Sequence, residues 1–167
     1  MLKNDNSNAQ DKFVLDNFAT CKDCRYVHFP ICFRAHWTLV VYDTKTGLWN
    51  HYNSMRPRVG LENKHLKEAV FVRDTIIEIQ RGAVGVLGDD DATQFGQLGV
   101  EAVTDCPQQK HDSYMEDCAI IMCAVMRQYV HHMDVNRSLQ GDNCIILRAN
   151  MVKGFVNDHG RGLKDSA

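Results

Sequence analysis

Apolar positions along the chain fall into short blocks whose spacing changes from two to nearly four. Tyr26-Val27-His28-Phe29-Pro30-Ile31 is rich in β-branched and aromatic residues and predicts a strand, with the proline marking an edge or a strand end. His36-Trp37-Thr38-Leu39-Val40-Val41-Tyr42-Asp43 has the same character. The turn residues Thr44-Lys45-Thr46-Gly47 then lead into Leu48-Trp49-Asn50-His51-Tyr52-Asn53, which predicts a hairpin. Between Leu61 and Gln80 the period changes: Leu66, Ala69, Val70, Ile76 and Ile77, set among charged residues, predict an amphipathic helix. Gly82 to Gly99 reads as a surface loop, and Val100-Glu101-Ala102-Val103 as a short strand. Cys118 to Val130 is apolar on every face and predicts a helix buried on most sides, its start marked by Glu116 and Asp117. A last helix is expected from about Cys144 to Val156, where Ile145, Leu147, Met151, Val152 and Phe155 recur at helical intervals. Strands and helices mixed in this way give an α+β class. The polar residues 1 to about 12 carry no period.

Composition narrows the function. The 167 residues are 44% hydrophobic and 24% charged, the signature of one globular domain. Nineteen Lys+Arg against 21 Asp+Glu give a net charge of −2, so no basic field exists to hold nucleic acid. The longest uncharged apolar run, Cys118 to Met126, is far short of the roughly 20 residues that cross a bilayer. The amino end has no apolar signal region, so an intracellular protein, in nucleus or cytoplasm, is expected. Seven cysteines, an odd number, point to reduced thiols in place of a disulfide framework. Cys21 and Cys24 form one close pair, but no second pair completes a zinc site, so no metal and no cofactor are expected.

The candidate chemistry is nucleophilic. Cys118 opens the buried helix, where unpaired N–H groups and the helix dipole favour a thiolate. A thiolate needs a positioned base and a group that orients the base. His36 and Asn53, on neighbouring strands of the hairpin, can meet on one face, since cross-strand partners stand about 4.5–5.5 Å apart at Cβ. Asp43 lies seven residues after His36 on the same strand and so on the opposite face; it more naturally begins the turn. Gln109 or Gln108 could donate to a tetrahedral oxyanion. Three readings compete: a thiol enzyme, a non-catalytic binding scaffold, and a structural protein with core cysteines whose Cys21/Cys24 pair binds zinc. His131-His132 read as polar residues at a helix end, and Arg56-Pro57-Arg58 as a solvated turn open to an acidic partner.

Phe29-Pro30-Ile31, His36-Trp37-Thr38-Leu39, Tyr52-Asn53-Ser54-Met55, Cys106-Pro107-Gln108-Gln109 and Asp117-Cys118, in this order, resemble the Ulp1/SENP cysteine proteases, especially their plant Ulp1-like members. The resemblance spans residues 25–156, leaving 1–24 as a polar amino-terminal segment and 157–167 as a tail. It implies a papain-like fold, with a central helix against a mainly antiparallel sheet, and cleavage after the terminal Gly-Gly of SUMO or a related ubiquitin-like modifier. On this resemblance Cys118 is the nucleophile, His36 the general base and acid, Asn53 the orienting member and Gln109 the oxyanion donor. The same resemblance implies that Trp37 covers a tunnel too narrow for a Cβ, which selects glycine by exclusion. The resemblance implies SUMO or a related ubiquitin-like protein and its conjugates as the partner, and a monomer is expected.

Three features depart from the family pattern. Neutral Asn53 stands where aspartate is usual. Ala119 follows the nucleophile in place of glycine, and eight residues separate Gln109 from Cys118, a longer link than usual. No Trp-Leu-Asn-Asp-like word occurs in residues 1–24. The alternative these departures define is an impaired scaffold that binds a ubiquitin-like modifier without turnover.

Overall fold

The computed structural model describes residues 23–55, 60–87, 98–109, 117–135 and 142–158, with isolated positions at 12, 16–17, 21, 57 and 95–96. Its frame is a four-stranded sheet in sequence order. Strands β1 (Tyr26–Phe33), β2 (His36–Asp43) and β3 (Leu48–Tyr52) form an antiparallel meander, and β4 (Val100–Ala102) adds to β3 in parallel. Between β3 and β4 runs the long helix α1 (Lys64–Leu87); α2 (Cys118–Val130) and α3 (Asp142–Asp158) follow.

The hairpin predicted from the alternation forms with the expected strands. Asp43 closes its turn, accepting the backbone N–H groups of Lys45 at 2.9 Å and Thr46 at 3.4 Å while pairing with Arg25. Those N–H bonds and the Arg25 guanidinium hold its carboxyl below the usual range despite the opposing pull of burial. Gly47 supplies the positive φ of 73° that ends the turn.

Alternation along β2 divides the core into two layers. Val40 and Tyr42, with Val27, Ile31 and Trp49, pack against Ala69, Ile76 and Ile77 of α1. Leu39 and Val41, with Tyr52, pack against Ile121 and Val125 of α2 and Cys144 of α3. A strand covered on both faces needs a continuous apolar run, which is what Leu39-Val40-Val41-Tyr42 provides. On the α1 side, Gly96 donates its N–H to the Tyr42 hydroxyl at 2.7 Å and accepts from the Trp49 indole at 2.9 Å. On the α2 side, the Tyr52 and Tyr129 hydroxyls meet at 2.5 Å.

Three expectations change. Helix α1 continues through Gly82 to Leu87, where a loop was expected from Gly82; a lone glycine costs a helix only about 1 kcal/mol. Central helix α2 buries one stripe, Cys118, Ile121, Ala124, Val125 and Gln128, and leaves Val130 exposed, so its uniform apolar character overstates its burial. Helix α3 runs from Asp142 to Asp158, longer than expected at both ends, and leaves Ile145, Ile146 and Val152 exposed. His131 and His132 are exposed just past α2, as expected of polar residues there.

Candidate active site

The site begins at a tight turn. Arg34 and Ala35 join β1 to β2 with φ values of 52° and 59°, the backbone signs of a type I′ hairpin turn, built here without glycine or asparagine. This fixes where β2 starts, and its first residue is His36, only 5% exposed. Asn53 stands one residue past β3. Extending the register from Leu39 opposite Tyr52 puts Asn53 opposite Thr38, on the same face as His36 and diagonal to it. The imidazole reaches across that diagonal, with His36 Nε2 at 2.8 Å from Asn53 Oδ1.

The same Asn53 oxygen accepts the backbone N–H of Met55 at 2.9 Å. A backbone N–H requires an acceptor, so this side of the amide is its oxygen. His36 Nε2 must therefore carry the proton and donate, which leaves Nδ1 as the basic nitrogen.

The next segment runs beside Asn53. Val103 donates its N–H to the His51 carbonyl at 3.0 Å, and Gln109 its N–H to that of Ser54 at 3.0 Å. Gln108 Nε2 donates to the main-chain carbonyls of Asn53 at 3.1 Å and Cys106 at 2.8 Å. Gln108 thus ties this segment to the residue that orients His36. Both glutamines bury a side-chain carbonyl oxygen with no protein partner.

Cys118 is the first residue of α2 and is 2% exposed. Asp117, expected to mark the helix start, stands there but makes no side-chain cap; its Oδ1 accepts from Arg148 Nη2 at 2.8 Å and Nε at 3.3 Å, fastening the Cys118 end of α2 to α3. Glu116, Arg56 and Arg58 lie outside the described residues. Among the described residues no hydrogen bond joins the Cys118 thiol to His36. The seven cysteines form no disulfide. Burial pushes the Cys106 thiol up to about 12, against the opposing pull of the Asn53 backbone N–H, and burial also raises those of Cys123 and Cys144. These three are poor nucleophiles. Trp37 is 37% exposed, beside His36 in sequence and on the other face of β2 by alternation.

Two residues that sequence reading passed over stand at the site. His51 lies two positions before Asn53 on the same face of β3, fully buried, with both ring nitrogens unpartnered. Burial, then the nearby His65 and His36, lower its pKa to about 4. His65, at the start of α1, packs edge-on against His36 with ring centroids 4.7 Å apart. Period-two spacing from Asn53 could have flagged His51. Nothing local points to His65, which arrives from another element.

The family model for the Ulp1 protease family, C-terminal catalytic domain, matches residues 5–157. The chain belongs to the Ulp1 protease family. Solved structures agree in fold. One, a SUMO protease Ulp1 with its catalytic cysteine oxidised to a sulfonic acid, superposes with a TM-score of 0.63 at 14% identity, over 91% of this chain and 64% of the other. Another, the C-terminal Ulp1 protease domain in complex with Smt3, the yeast ortholog of SUMO, gives 0.58 at 17% identity, over 80% and 53%. This Ulp1-family chain therefore spans less than two thirds of the length of those structures, and it has the expected α+β fold. No curated protein matches it.

Proposed function

We propose that this chain is a cysteine peptidase that cleaves after the C-terminal Gly-Gly of SUMO or a related ubiquitin-like modifier, working as a monomer in nucleus or cytoplasm. The observation that carries the reading is the His36 Nε2 to Asn53 Oδ1 bond, which presents Nδ1 as a base in a fold whose buried helix begins with Cys118. Family membership and likeness to Ulp1 domains, one of them solved with Smt3, support the substrate class.

In this reading His36 Nδ1 takes the Cys118 proton as sulfur attacks the carbonyl carbon of the last glycine. The resulting oxyanion is held by the Gln109 side-chain amide and by backbone N–H groups at the start of α2, aimed where charge develops. Gln109 is preferred to Gln108 because the Gln108 amide nitrogen is already engaged by two carbonyls. His36 then protonates the leaving amine, and water, deprotonated by His36, releases the modifier from the thioester. Asn53 fixes the tautomer without adding charge. Trp37 covers the Gly-Gly tail.

The test is covalent capture. SUMO carrying a C-terminal propargyl or vinyl electrophile labels the wild-type protein and fails to label Cys118→Ala. A folded wild type that stays unlabelled across pH 6 to 9 overturns the reading in favour of a scaffold that binds without turnover.

A further inference from the structure

The wall on which the His36 ring rests comes from outside the hairpin. Phe33 and His36 are direct partners across β1 and β2, flanking the Arg34-Ala35 turn. His65 packs edge-on against both rings, with centroids 4.7 Å from His36 at an interplanar angle of 61°, and 5.8 Å from Phe33 at 82°. Its backbone is set by the start of α1, where Asn63 caps the helix: Asn63 Oδ1 accepts from the Leu66 N–H and its carbonyl from the Lys67 N–H, both at 3.1 Å. His65 is therefore held on a helix end and wedged across a strand pair.

We propose that His65 is a positioning residue for His36, its ring blocking rotation of the imidazole away from the orientation that keeps Nε2 on Asn53 and Nδ1 free. The inference rests on the catalytic reading above and deepens it. Among the described residues Asn53 makes the one side-chain hydrogen bond to the His36 ring, and it is a neutral amide. A charged acceptor would hold the ring with a bond roughly twice as strong. Half a turn about χ2 would carry Nε2 off Asn53 and put a ring carbon in its place. A stationary edge-to-face neighbour resists that turn by packing alone, and such aromatic pairs prefer this geometry. Burial, and then the neighbouring His36 and Arg34, lower the His65 pKa, so it meets His36 as a neutral ring at pH 7 to 8 and adds no competing charge.

The experiment compares wild type, His65→Phe, His65→Ala and Phe33→Leu. Imidazole nitrogen NMR reports the His36 tautomer, and a fluorogenic amide at the C-terminus of SUMO reports kcat and KM. Wild type and His65→Phe are expected to hold the Nε2–H tautomer, with kcat within twofold of each other. In His65→Ala the tautomers mix and kcat falls about tenfold with KM within twofold, the pattern of lost orientation. Phe33→Leu, which withdraws the ring packed on His65, moves both readouts the same way and keeps the proposal testable should His65→Ala fail to fold. One tautomer population throughout, or equal loss in His65→Phe and His65→Ala, overturns the proposal. The NMR readout needs no turnover: a wild type that neither cleaves nor is captured refutes the catalytic reading, while the tautomer still decides what His65 does.

Discussion

His36 Nε2 and Asn53 Oδ1 lie 2.8 Å apart, and the second bond to that oxygen, from the Met55 N–H, settles which atom of the amide faces the ring. A side chain that nominally has two indistinguishable ends is thereby made directional, and the direction passes to the imidazole.

Replacing Asn53 separates orientation from charge. Asn53→Ala removes the acceptor and is expected to lower kcat about 10- to 100-fold with KM little changed, the loss of one orienting contact in acid–base catalysis. Asn53→Asp keeps the oxygen and adds a charge that favours the imidazolium, so its kcat stays within about tenfold of wild type or exceeds it. Steady-state kinetics on the SUMO amide checks both, and equal loss in the two variants would remove Asn53 from its role.

The two glutamines part company under substitution. Gln109→Ala is expected to cost about 10²- to 10³-fold in kcat while leaving unfolding unchanged, as for loss of an oxyanion donor. Gln108→Ala breaks two bonds to main-chain carbonyls and lowers stability by about 1–3 kcal/mol. Kinetics paired with denaturant titration reads both, and the reverse pattern would exchange their assignments.

His51 makes the fold acid-sensitive. Its folded pKa of about 4 lies below the 6.5 of an ordinary histidine, so the unfolded chain binds the extra proton first. The stability it supplies is complete above pH 6.5 and is lost as pH falls toward 4, amounting to about 3 kcal/mol at most. His28 and His65, also lowered, act in the same direction. Unfolding free energies of wild type and His51→Phe at pH 5 and 7 test this: the variant should show a smaller drop, and an identical drop would count against it.

The turn before His36 stores strain that glycine relieves. Ala35 at φ 59° bears a left-handed cost of about 1–2 kcal/mol, against the 0.5–1 kcal/mol glycine loses in chain entropy. Ala35→Gly should therefore stabilise by about 0.5–1 kcal/mol, a rise of about 2–3 °C in Tm. Calorimetry that shows a fall in Tm refutes the strain.

The meander and the place of His36 and Asn53 were legible in the sequence because strand alternation is local and every side chain declares its face. The diagonal offset of that pair was not legible, since Asn53 stands beyond β3 and only the register of Tyr52 against Leu39 reveals it. The end of α1 was hidden by Gly82, a residue that marks turns more often than helix interiors. Asp117 stands at the start of the helix as its charge marked it, but the partner its carboxylate takes there, Arg148 of α3, is distant in sequence and nothing local reveals it. His65 was invisible because its meaning depends on which strand a helix lands against.

The imidazole and its amide are only 17 positions apart on a meander closed by short turns, whereas the sulfur comes from a helix far downstream. Hairpins of this kind pair in about 1–10 μs, and ribosomes add about 5–20 residues per second. During synthesis the segment that carries His36 and Asn53 therefore emerges seconds before Cys118, and on the proposed reading no nucleophile can stand beside the imidazole until α2 docks.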